Sequence, residues 1–108
     1  MKKLIEFLTD CDHERTQEGF RFETADDDEN QFIIDVFGNF QYEEYYDDFH
    51  VDNSRHLCKL IKFEVMFVNY VINEKMVSYE ELMQYIIIPK HDYQTIENYI
   101  NNELYYEI

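Results

Sequence analysis

Glycine and proline are nearly missing from this sequence, with two and one in 108 residues. A flexible or polyproline linker needs runs of one or the other. The chain is therefore expected to be a single compact domain over residues 1–108, near the commonest domain size. With only Gly19 and Gly38, loops that cradle phosphate have nothing to be built from, and Gly-x-Ser-x-Gly is also absent. Cysteine is scarce too. Cys11 and Cys58, in a chain read as having no export signal, are expected to be reduced thiols. The opening apolar stretch is broken by Glu6 and stops at Thr9-Asp10, which is too short for a signal peptide. No run approaches the roughly 18 apolar residues of a membrane helix. A soluble, cytoplasmic protein is the expectation.

Positive charge is the other shortage. Nine Lys and Arg face 24 Asp and Glu, for a net −15. Residues 16–50 alone set Arg21 against 11 acids, whereas residues 51–75 sum to +1. Such a field repels nucleic acid and anionic membranes and attracts basic surfaces. Neither direct DNA or RNA binding nor membrane binding is expected.

What the chain has in quantity is aromatic side chains, 10 Tyr and 9 Phe, within a composition that is 45% hydrophobic. Disordered acidic chains show the reverse, so a packed core is expected. Leu4, Ile5, Leu8 and Cys11 recur at helical spacing, predicting a helix over 2–11. Residues 19–24 alternate as a strand does, 25–30 form a polar turn, and 31–37 are β-branched and aromatic. Gly38-Asn39 resembles a two-residue hairpin turn, leading to a third strand at 40–46. Asp52-Asn53-Ser54 supplies cap residues, and 55–73 carries apolar residues at helical spacing until it is apolar nearly all round, as in a long buried helix. Ser78-Tyr79-Glu80-Glu81 reads as a capping box opening a helix to about Ile87, ended by Pro89. Asp92 is placed to cap a last helix whose face carries Ile96, Tyr99, Ile100 and Leu104. The predicted fold class is α+β: an N-terminal helix, a three-stranded antiparallel sheet, then three C-terminal helices, one of them long and buried.

Candidate chemistry is thin. Asp26, Asp28 and Asn30 match the first three ligand positions of an EF-hand loop, but Gln31 stands at its glycine and Phe37 at its bidentate glutamate. Cys11, His13, His56 and Cys58 are zinc ligand types, yet one residue within each pair is tighter than structural zinc sites use. No metal or cofactor is expected. Glu43-Glu44 and Glu80-Glu81 lack any sign of the burial that separates the pKa values of catalytic carboxylates, so no catalytic residue is assigned and an enzyme is not expected.

The remaining feature is an acidic, aromatic surface: Asp26, Asp27, Asp28 and Glu29 on the turn, then Glu43, Glu44 and Tyr45 along the third strand, with Asp47 and Asp48 just beyond it. Carboxylates spaced along a strand imitate a line of phosphates, and tyrosine favours interface centres. In size, charge and aromatic content the chain is similar to small acidic phage proteins, among them anti-CRISPR proteins and DNA-mimic inhibitors. That resemblance implies an inhibitor that occupies the DNA or RNA site of a basic nucleic-acid-binding protein, such as a CRISPR effector or nuclease. An immunity protein or antitoxin against a basic nuclease toxin would use the same physics. A small enzyme or ligand-binding protein, its site under the long helix, is the reading from another class. An exposed third strand would also leave homodimer formation open.

Overall fold

The computed structural model describes residues 1–46 and 56–105, with strand segments 42–46 and 56–61 described by their backbone alone. In chain order the elements are β1 (Lys2–Lys3), α1 (Leu4–Asp10), β2 (Asp12–Arg15), β3 (Gly19–Ala25), β4 (Gln31–Tyr46), β5 (His56–Ile72), β6 (Lys75–Met76), α2 (Tyr79–Leu82), β7 (Ile86–Ile87) and α3 (Asp92–Glu103). Five strands make an antiparallel sheet in the order β2-β3-β4-β5-β6, and β1 pairs with β7 in parallel. The fold is α+β, with the helices on one face of the sheet.

Strand alternation accounts for that one-sided arrangement. Phe20 and Phe22 of β3, Phe32, Ile34 and Val36 of β4, and Val68, Tyr70 and Ile72 of β5 are buried. They meet Leu4, Phe7 and Leu8 of α1, Leu82, Ile86, and Ile96 and Ile100 of α3 in one core. Residues between them in sequence, such as Arg21, Glu23, Ile33 and Asp35, turn to the opposite face. A long dimension of 62 Å, against 25 and 20 Å, is close to the roughly 53 Å that the 16 extended residues of β4 span.

The three-stranded sheet with a long buried helix is not what forms. Residues 31–37 and 40–46 are one continuous strand, β4, and Gly38-Asn39 lies inside it rather than at a turn. The reason is close packing. A Cβ on Gly38 would stand 2.0 Å from the Glu64 carbonyl oxygen and 2.7 Å from the Phe63 ring, while one on Gly19 would meet the Val36 carbonyl oxygen at 1.9 Å. Both glycines make room for neighbouring backbone, and neither has a positive φ.

The predicted helix over 55–73 is the strand β5. Its pairing skips a residue between Val65, opposite Gly38, and Phe67, opposite Phe37. This bulge at Met66 displaces the two-residue period by one, so inward Phe63 and Val65 are followed by inward Val68, Tyr70 and Ile72. The bulge leaves inward Val65, Val68 and Ile72 at helical spacing, and apolar residues on the outward face, Phe67 and Val71, make the segment apolar nearly all round. The helix expected from Ser78 to about Ile87 is a single turn. Ser78 does cap it, accepting from Glu81 N at 3.3 Å, but the chain then extends into β7. The sequence pattern also missed β2, whose residues Asp12, His13, Glu14 and Arg15 are all charged or polar and exposed. Such a strand protects the sheet edge against pairing with other chains.

Where β5 lies beyond the reach of β6, α3 covers its edge. Glu97 Oε1 accepts from Val65 N at 2.8 Å, and Asn101 bonds both backbone atoms of Phe63. The spacings agree. Four helical residues rise about 6 Å and two strand residues about 6.6 Å.

Candidate functional site

The acidic turn between β3 and β4 is built around Asp26. Its carboxylate accepts from Asp28 N at 3.0 Å, Asn30 N at 2.8 Å and Asn30 Nδ2 at 3.0 Å. This is an Asx-type turn, in which a side chain stands in for backbone. The Asn30 amide above all, helped by the backbone N–H groups, holds the Asp26 carboxyl below its ordinary pKa. Glu29 closes the turn with φ 67°. A second turn braces it: Asn73 Oδ1 accepts from Gln31 N at 2.9 Å, and Asn73 Nδ2 donates to Asn30 Oδ1 at 3.0 Å. The four acids proposed from sequence therefore divide by role. Asp26 is committed to the turn, while Asp27, Asp28 and Glu29 are held outward and exposed.

The fold adds three acids to this end of the sheet that sequence separation conceals. Asp12 at the start of β2 stands opposite Glu23 of β3, and Asp10 ends α1. Lys2 is paired with Asp10 and also feels Asp27. A cleft of about 170 Å³ has Lys2, Asp10 and Asp26 on its rim and Phe7, Phe32 and Tyr85 in its walls. Asp10, Asp12, Glu23, Asp26, Asp27, Asp28 and Glu29 thus form one acidic pole, with Lys2 among them. No pattern in the charged stretch 12–15 announced a strand, so no sequence signal linked Asp12 to Glu23.

Glu43, Glu44 and Tyr45 do not join this pole. They lie on the far part of β4, in register with Lys59, Cys58 and Leu57. Thirteen residues of extended chain separate Asn30 from Glu43, roughly 40 Å. The meander would have folded the third strand back beside the turn, whereas one continuous strand carries it away. Asp47 and Asp48 lie outside the described residues. The same length separates the zinc ligand types. Cys58 is opposite Glu44, while Cys11 precedes Asp12, whose row runs through Glu23 to Ile33. Eleven β4 residues, about 35 Å, lie between those rows. Among the described residues no three His, Cys, Asp or Glu side chains converge as metal ligands would.

A second polar constellation pins α3. Asp92 is not the helix cap. That position falls to His91, and Asp92 is the first helical residue and is buried. Its Oδ2 accepts from Tyr70 Oη at 2.7 Å and Tyr79 Oη at 2.9 Å. Burial first, then the bond to Asp92, pushes both phenols above their ordinary pKa. The two hydroxyls remain donors to one carboxylate, which ties β5, the α2 turn and α3 together.

No protein-family model, no curated protein and no solved structure matches this chain. No helix among the described residues is long and apolar enough to cross a membrane.

Proposed function

We propose that this protein is a binding protein that presents its acidic pole to a basic, nucleic-acid-binding partner and blocks that partner's DNA or RNA site. One observation carries the reading: elements distant in sequence bring seven carboxylates to one end of the sheet, four of them on a turn braced by Asp26 and Asn73. Braced carboxylates suit phosphate mimicry because the charges need not be ordered again on binding. Association is expected to be fast and salt-sensitive, since complementary charge acts chiefly on the on-rate. The backbone of Glu43, Glu44 and Tyr45 lies roughly 40 Å along β4 from this pole, so these residues are not part of the proposed surface.

The test begins with affinity capture from host lysate at low and high salt. The captured protein is then bound to labelled DNA or RNA and titrated with the acidic protein. Displacement of the nucleic acid is expected, and Asp27→Lys, Asp28→Lys and Glu29→Lys together should abolish it. Asp26 stays unchanged so that the turn remains intact. Unaltered displacement by the triple variant, and by a variant that adds Glu43→Lys, Glu44→Lys, Asp47→Lys and Asp48→Lys to it, would exclude the mechanism.

A further inference from the structure

The sheet face turned away from the helices carries exposed and half-buried apolar side chains among its charged ones. Cross-strand registers place its residues in rows. Met76, Val71, Ile33, Glu23 and Asp12 make one row, Asn69, Asp35, Arg21 and Glu14 the next, and Phe67 and Phe37 a third. The Phe37 and Phe67 rings lie 6.3 Å apart. Phe67 is 50% exposed, Met66 beside it 58% and Met76 70%.

Charge decides what this face accepts. It carries Asp12, Glu14, Glu23, Asp35 and Glu64 against Arg21 and Lys62. Arg21 is already bound to Asp35 at 2.7 Å and lies 3.8 Å from Glu23. Two copies meeting through this face would oppose like charge in a chain of net −15. A segment in which Lys or Arg alternates with apolar side chains matches it instead: aromatic and aliphatic contacts at the centre, cations toward the acidic rim.

We propose that the outer face around Phe37, Phe67, Ile33 and Val71 is the docking surface for a basic, amphipathic segment of the partner protein. This rests on the acidic-inhibitor reading and adds an apolar anchor to it. The acidic pole guides encounter, and the phenylalanine pair fixes the complex once formed.

Two labelled peptides of equal length and charge serve as probes, one alternating Lys–Leu and one alternating Lys–Ser. They are titrated at low salt against the wild type, Phe37→Ser/Phe67→Ser, and Asp27→Ser/Asp28→Ser/Glu29→Ser. The expected result is preference for Lys–Leu, with binding weakened more than about tenfold by the phenylalanine changes and less by the turn changes. Equal binding of both peptides, lost only in the turn variant, would overturn the docking surface and leave the acidic reading standing. No binding of either peptide would overturn both. A sedimenting wild-type dimer that the phenylalanine changes dissolve would make the occupant a second copy, against the proposal. Circular dichroism checks folding, and Phe67→Ser alone is the substitute if the double variant unfolds.

Discussion

Asn101 on α3 takes the place of a neighbouring strand for Phe63 on β5. Its Oδ1 accepts from Phe63 N at 2.9 Å, and its Nδ2 donates to Phe63 O at 2.9 Å and to Glu97 O at 3.0 Å. An amide side chain presents the same donor and acceptor pair as a peptide group. Asn101→Ala strips both partners from a strand edge whose side chain is fully buried. Each unsatisfied backbone group costs roughly 1–3 kcal/mol, so for the two groups a loss of about 2–6 kcal/mol is expected, measured as a lower urea midpoint at unchanged m-value. The uncovered edge should also promote self-association, visible in sedimentation as concentration-dependent mass.

Gly38 and Gly19 make a second prediction, one that separates close approach from turn formation. Were Gly38 a hairpin turn residue, alanine would be opposed by backbone dihedrals. Here it is opposed by the Glu64 carbonyl and the Phe63 ring. Gly38→Ala is expected to cost about 1–3 kcal/mol, the usual range for forcing atoms into a filled space. Phe63→Leu in the same chain should recover part of that loss by freeing the ring's position, which a double-mutant cycle on thermal unfolding would detect. A turn residue would show no such coupling.

Local pattern was enough to locate α1, β3 and α3, because each shows an unbroken period, and the acidic turn, because its run of polar residues marks a turn by composition alone. It failed where neighbours decide. Gly38-Asn39 has the composition of a turn, and only the approach of the Glu64 backbone explains its place inside a strand. Met66 is one extra residue, yet it shifts the alternation of Val68, Tyr70 and Ile72 enough to resemble a helix. Asp27, Asp28 and Glu29 were legible as an exposed acidic group because four acids in a row need no fold to be close. Asp10, Asp12 and Glu23 join them only through the α1–β2 junction and the β2–β3 register, which nothing local encodes.

Alkaline pH should weaken the fold, and the direction follows from three groups. Tyr70 and Tyr79 are held above their ordinary phenol range. The Cys11 thiol is pushed up to about 12 by burial first and then by Asp10 and Asp12. In the unfolded chain thiols ionise near about 8.5 and phenols near about 10. The folded state therefore keeps protons that the unfolded state releases. The stabilisation is complete below about pH 8 and declines as pH rises past the unfolded values. Urea midpoints should be level through neutrality and fall above about pH 9. Tyr70→Phe should lower stability at neutral pH, by leaving Asp92 short of a donor, and flatten the alkaline decline.

Cys11 gives the most direct check on the packing of α1 against the sheet. A thiol reacts as its thiolate, and burial between Asp10 and Asp12 keeps Cys11 protonated at neutral pH. In native protein at about pH 8, iodoacetamide should label the Cys11 peptide far more slowly than it labels a free thiol, as resolved by peptide mass spectrometry. In urea the two rates should converge. Lys2→Ala removes the cation that pairs with Asp10 and favours the Cys11 thiolate, so it should slow native labelling further if burial is unchanged. Faster labelling in that variant would instead report that the Lys2–Asp10 pair holds α1 in place, and hydrogen exchange across Leu4–Asp10 would rise with it.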